Sequence, residues 1–195
     1  MPIIEEFIDD PEEKMFIKDI LNPYHYISFD IFGTLLERKL VHRENLYRYI
    51  SKKYRPGFNY EAIRLAAEYA VSVDAVPTIE DIYQKIIEMT GITKEQADKL
   101  MQLEIDTEKL MLVPRKTMVQ LLDWAVGCGK EVSLISDMYF SESVLSEILR
   151  ASGVENYKSL YISCEYGVDK QHGLYDIYKR DIGGSKSIHI GDDED

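Results

Sequence analysis

The sequence predicts an α/β fold: a parallel sheet covered by helices on both faces, interrupted after its first strand by an all-helical insertion. Three observations predict it. Residues 24–30, "YHYISFD", form an aromatic and β-branched run that reads as a strand. The stretch from about residue 43 to 112 carries helical periodicity throughout. After Pro114, helical and strand patterns alternate to the end of the sequence, as in consecutive parallel strand–helix units.

The elements follow in order. Ile3, Ile4, Phe7, Phe16, Ile17, Ile20 and Leu21 mark a short N-terminal helix interrupted at Pro11. Pro23 opens the first strand, which ends at Asp30 and is broken by Gly33-Thr34. In the insertion, Leu46, Tyr49 and Ile50 share a helix face, and "YEAIRLAAEYAVSV" is an alanine-rich helix. A third helix has Thr78 as N-cap, Asp81 at the capping-box position and Gly91 as C-cap. The fourth is capped by Thr93 and is expected to turn Leu100, Leu103 and Leu110 inward. Beyond Pro114, "RKTMVQLLDWAVGCG" is a helix closed by Gly127 and Gly129, and "KEVSLISD" a strand. "SESVLSEILRASG" is a helix between Ser141 and Gly153, followed by the strand "SLYISCE", the helix "LYDIYKRDIGG" and the strand "KSIHIGDD". Residues 1–39 and 113–195 are thus assigned to the α/β core, and 40–112 to a helical cap.

Composition bounds the function. The 195 residues, 45% hydrophobic, suffice for one sizeable core and a small insert. With 23 Lys+Arg against 35 Asp+Glu, the net charge of -12 argues against nucleic acid or anionic lipid as partner, since both need basic clusters. Cys128 and Cys164 have no metal or redox spacing and read as two buried reduced thiols. The N-terminus carries acids where a secretory leader needs a basic region, and no segment has membrane-spanning length, so a cytoplasmic protein is expected. The tyrosines of the insertion, among them Tyr47, Tyr49, Tyr54, Tyr60, Tyr69 and Tyr83, read as core and surface filler at helical spacing. His25, His42, His172 and His189 are not spaced as a metal set; His25 and His189, inside strand patterns, read as packed or backbone-bonded.

Open parallel sheets bind ligands beyond the carboxyl ends of their strands. The first strand ends at Asp30, the second at Ser136-Asp137, the third at Cys164-Glu165 with Lys170 a few residues on, and the fourth at Gly191-Asp192-Asp193. An acid, a hydroxyl, a lysine and an acid pair, in this order, form one constellation.

"SFDIFGTL", "LISD", Lys170 in "GVDKQHGLY" and "IHIGDD" resemble the four motifs of the haloacid dehalogenase superfamily, in its branch with a helical cap after the first motif. The chain is more narrowly similar to hydrolases of that superfamily encoded near polysaccharide and glycosyltransferase genes. The resemblance covers nearly the whole chain and implies a Rossmann-like core. It makes Asp30 the nucleophile and Ser136 and Lys170 the groups that hold the transferred phosphoryl oxygens. Gly33, Thr34 and Asp137 would shape the substrate site, and Asp30, the Phe32 carbonyl, Asp192 and Asp193 would hold Mg²⁺. Lys179 and Lys186 are alternatives to Lys170. Members of the family run on past the fourth motif, so the resemblance implies either a piece of a longer protein or an under-covered last strand.

The chemistry suits these residue types. A carboxylate attacking phosphorus divides one displacement into two, and a divalent cation relieves its repulsion from a phosphate dianion. The chain departs from the pattern at Phe32. Phosphatases of the superfamily place an acid there, which protonates the leaving oxygen and then activates water. Asp137, Glu37 and His42 are candidate replacements. A leaving group that needs no proton would remove the first of these two requirements. Haloacid dehalogenases also lack this acid, whereas their fourth motif lacks the Gly-Asp-Asp pattern. The sequence therefore leads to a Mg²⁺-dependent hydrolase of a small phosphorylated metabolite, with a 2-haloacid dehalogenase and a non-catalytic binding module as alternatives.

Overall fold

The computed structural model describes residues 11–39, 42–73 and 75–192. The first element, α1 (Pro11–Leu21), starts at its proline, whose fixed φ and missing N–H suit a first helical turn. Ile3, Ile4 and Phe7 lie outside the described residues.

Four parallel strands form the central sheet: β1 (Tyr26–Phe29), β4 (Glu131–Ser136), β5 (Ser159–Ile162) and β6 (Ser187–Ile190), in the order β5-β4-β1-β6. β1 pairs with β4 through Phe29↔Leu134 and with β6 through Phe29↔Ile190, so the ends of all three come out together. Alternation divides the sheet's faces. Ile27, Phe29, Val132 and Leu134 pack with Leu122 of α6 (Lys116–Gly127) and Leu145 of α7 (Glu142–Ala151). Ile135 and Tyr161 instead pack with Tyr178 of α9 (Tyr175–Asp181). Between β5 and α9 stand the short helix α8 (Ser163–Tyr166) and a wide helical turn, Lys170–Leu174. The third strand thus ends at Ile162, and the expected strand end at Cys164-Glu165 is helical: Ser163 turns inward to bond Met138, accepting from its N–H at 2.9 Å.

The insertion is helical between α2 (Glu44–Tyr54), α3 (Tyr60–Ser72), α4 (Ile79–Thr90) and α5 (Lys94–Met111). The capping boxes at Thr78 and Thr93 form, completed by Asp81 and Gln96. The sequence reading missed the neck. β2 (Leu36–Arg38) and β3 (Leu112–Pro114) pair antiparallel where the chain leaves and re-enters the core. Three-residue strands have no period to detect. The inward face of α5 is only partly the expected one: Leu100 and Leu103 pack against the core, but Leu110 is 61% exposed and Glu104, Thr107 and Glu108 are buried.

The buried Glu104 has a charged partner. Arg64 of α3 is fully buried, donating from Nε and Nη2 to Glu104 at 2.9 and 2.8 Å and from Nη1 to Glu68 at 2.6 Å. Tyr60 and Tyr83 hydroxyls also bond Glu104, at 2.6 and 2.8 Å. Tyr47, Tyr60 and Tyr83 are thus more than filler, whereas Tyr54 and Tyr69 are exposed. The network reaches the α/β core through Tyr139, in the loop after β4: its ring lies 4.9 Å from the Arg64 guanidinium, and its carbonyl accepts from Ile79 N–H at 2.8 Å.

Other expectations are corrected. Cys128 is exposed rather than buried, and Cys164 half-buried; both are free. His25 is exposed just before β1, whereas His189 is packed as expected, its ring 5.0 Å from that of Tyr175 and its Nδ1 2.9 Å from the Ser28 hydroxyl.

Candidate active site

Asp30 follows β1 directly, and its N–H is held by the Ile190 carbonyl of β6 at 2.8 Å. The chain then turns sharply. Leu35 and Leu36 N–H groups both bond the Ile31 carbonyl, at 2.9 and 2.8 Å, and Gly33 N–H bonds the Leu36 carbonyl at 2.8 Å. Gly33 has φ +83, in the left-handed region. A methyl group there would also lie 2.0 Å from Asp192 Oδ2, so glycine is needed both for the turn and for the approach of Asp192. Arg115, just after β3, donates a short hydrogen bond to the Gly33 carbonyl, and its own N–H bonds Leu35. The neck therefore clamps the loop that follows Asp30.

Lys170 Nζ donates to Asp30 Oδ1 at 2.5 Å, although the two residues are 140 positions apart. Asp137, past the end of β4, positions that lysine by accepting from its backbone N–H at 3.0 Å. The alternatives lie elsewhere: Lys186 stacks 4.5 Å from the Tyr24 ring, and Lys179 is exposed on α9. Ser136 is buried at the end of β4, the strand beside Asp30. Thr34 is buried and its hydroxyl has no hydrogen-bond partner among the described residues.

Asp30 is only 6% exposed. Burial pushes its pKa above the ordinary aspartate value; Lys170 opposes the shift and the charge of Asp192 adds to it. Asp30 and Asp192 thus converge, and Gly191 lies against the Asp30 side chain. Asp193 lies outside the described residues.

The oxygens present suit a magnesium ion. Among the described residues no three acidic, histidine or cysteine side chains form a closed metal cage. Magnesium does not need one: it is commonly held by one or two carboxylates, with waters and substrate oxygens completing the shell. Asp30, Asp192 and the Phe32 carbonyl are the groups that could supply such oxygens, and the charge of Asp192 acts on Asp30.

A cavity of about 780 Å³ opens over the strand ends, between Asp137, Ser163 and Asp169 on one side and Arg43, Glu68 and Pro77 on the other. A second, of about 660 Å³, is lined by Gly33, Glu37, Lys39 and Asp192. Phe32, Arg38 and Arg43 line both. Of the candidate substitutes for the missing acid, Asp137 and Glu37 each border a cavity, while His42 is exposed and borders neither. Arg38, Arg43 and Arg115 were missed in the sequence; their signal was proximity to the turn after Asp30 and to the two ends of the insertion.

No family model matches the sequence, and no curated protein matches it. Solved structures do. The chain is similar to L-2-haloacid dehalogenase from Xanthobacter autotrophicus, with a TM-score of 0.53 and 15% identity over 85% of this chain and 69% of that one. It is also similar to a predicted phosphoglycolate phosphatase from Haemophilus somnus 129PT, with a TM-score of 0.57 and 13% identity over 87% of this chain and 77% of that one. Parallel sheet, helical insertion after the first strand and overall likeness agree: the chain has the fold of the haloacid dehalogenase-like hydrolases.

Proposed function

We propose that the protein is a hydrolase that transfers a phosphoryl group from a small metabolite to Asp30 and then to water. The observation that carries this reading is the approach of Lys170 Nζ to within 2.5 Å of Asp30 Oδ1, at a strand end that Asp192 also reaches.

Asp30 attacks phosphorus, forming the Oδ–P bond as the bond to the leaving oxygen breaks. Burial of Asp30, only 6% exposed, limits the access of bulk water to the nucleophile. Lys170 orients Asp30 through its ammonium and faces the charge that accumulates on the phosphoryl oxygens. Ser136, at the adjacent strand end, is the second donor to those oxygens. A magnesium ion held by Asp30, Asp192 and the Phe32 carbonyl would supply the charge neutralisation that lets a carboxylate meet a phosphate dianion. The helical insertion serves as the cap over the cavity and, through residues such as Arg43 and Glu68, selects the substrate.

One observation favours a second reading. Phe32 offers no proton to a leaving group, and the Lys170–Asp30 pair alone can present a carboxylate to carbon, so a 2-haloacid is the alternative substrate. The test is turnover of an aryl phosphate with magnesium. We expect activity that is lost with EDTA and in Asp30→Asn. Halide release from a 2-haloacid undiminished by EDTA, with no phosphate release, would overturn the phosphatase reading in favour of the dehalogenase.

A further inference from the structure

The two cavities share one wall, Phe32, Arg38 and Arg43. One cavity reaches Asp137 beyond β4, the other Asp192 beyond β6, and β1 lies between those strands. Phe32, two residues past Asp30, belongs to that wall, so the arginines stand by the turn that follows β1.

Both guanidinium groups are braced from behind. Arg38 donates from Nε to Glu108 Oε1 at 2.6 Å, with Nη2 2.6 Å from the same oxygen as an ion pair, and lies 4.6 Å over the Phe32 ring. Arg43 donates from Nη2 to Glu68 Oε1 at 2.8 Å, and lies within 6.0 Å of the Tyr47 and Tyr139 rings. Glu68 is fixed in turn by the buried Arg64. Among the described residues these glutamates are the hydrogen-bond partners of Arg38 and Arg43, and a guanidinium has five N–H donors. With side chains 19% and 34% exposed, the remaining donors have access to the cavities.

We propose that Arg38 and Arg43 form an anion subsite for the leaving portion of the substrate, and that the substrate class is an acyl phosphate or phosphoanhydride. This deepens the phosphoryl-transfer reading and rests on it. The shared chemistry is a leaving group that departs as a carboxylate or phosphate. Its P–O bond breaks with the electron pair going to the leaving oxygen, and no proton is needed. That matches a site with Phe32 in place of an acid and a cation stacked on the phenylalanine. Braced guanidinium groups lose little freedom on binding and bond such oxygens bidentately. Glu37, Asp137, Asp169 and Asp192 also border the cavities and repel anions that miss the arginine wall.

The binding test compares phosphonoacetate and methylenediphosphonate with methylphosphonate, by thermal melting of the whole chain at fixed free magnesium. Both double anions should raise Tm more than methylphosphonate does; the larger effect of the two separates carboxylate from phosphate leaving groups. The excess should disappear in Arg43→Gln. It should also disappear in Arg38→Gln/Glu108→Gln, which removes both charges and leaves no buried unpaired acid. Equal shifts from all three compounds, or an excess that survives both variants, would overturn the subsite. In turnover, Arg43→Gln should lower kcat/KM for acetyl phosphate about tenfold more than for phenyl phosphate, the loss of one charge-assisted hydrogen bond. Turnover confined to phenyl phosphate would refute the substrate class while leaving phosphoryl transfer intact. Dianion binding without turnover of any phosphate would refute phosphoryl transfer and leave the subsite standing.

Discussion

Replacing Arg64 with methionine tests the claim that a buried ion network holds the helical cap over the site. The substitution removes the Nε and Nη2 hydrogen bonds to Glu104, the Nη1 bond to Glu68, and a cation 4.8 Å from the Tyr47 ring and 4.9 Å from that of Tyr139. Glu104 keeps its tyrosine hydroxyl donors but loses its countercharge in a site closed to water. Breaking a buried pair in this way costs about 3–5 kcal/mol. For a chain of this size that is a fall in Tm of roughly 6–20 °C. The assay is urea unfolding with thermal melting as a check. Arg64→Met/Glu104→Gln should be more stable than Arg64→Met alone, because no buried charge is left unpaired. A pH series adds a signature. Burial alone would raise the Glu104 pKa, but Arg64 and the hydroxyl donors outweigh it and hold the carboxyl below its ordinary range. A lowered pKa in the folded state contributes stability that is present above the ordinary glutamate pKa and lost as pH falls through the lowered value. The deficit of Arg64→Met should therefore shrink as the solution is acidified. A loss below about 1 kcal/mol, a double variant as unstable as the sum of its parts, or a pH-independent deficit would refute the reasoning.

Two further substitutions probe the site itself. Lys170→Met removes the group that opposes the upward pKa shift of Asp30, so that pKa rises further; ionised Asp30 then destabilises the fold, and the variant should lose stability relative to the parent as pH rises through the carboxylate range, with hydrolysis falling about 10²-fold or more. Urea midpoints across pH and initial rates measure both, and a variant whose deficit grows toward acid would contradict the buried pair. Phe32→Asp restores an acid where the leaving group departs. Phenyl phosphate, whose leaving group is the more basic, should gain up to about 10²-fold in kcat while acetyl phosphate gains little. Equal gains for both would show that protonation is not what Phe32 withholds.

Much of the fold was legible because strand patterns and helix caps are local signals. "YISFD" and "SIHIGD" announce strands that end in acids, and the capping residues Thr78, Thr93 and Ser141 mark helix starts that the structure contains. The polar part of the inward face of α5 was not legible. Leu110 is exposed and Glu104 and Glu108 are buried because arginines 40 and 70 residues away neutralise them, and no window along the helix contains those partners. Lys170 could not be separated from Lys179 and Lys186 by spacing alone. It is the wide turn between α8 and α9, held by Asp137, that brings its ammonium to Asp30.

The sequence by itself determined the α/β class, the helical insertion and the residue types able to carry phosphoryl or carbon chemistry. These follow from periodicity, capping and side-chain inventory, which each segment carries alone. Only the tertiary structure decided the pairing: Asp30 with Lys170, Asp192 against Gly33, and Arg38 and Arg43 braced on one wall between two cavities. Such contacts depend on strand register and on burial that removes competing water, and both exist only once distant segments have packed together.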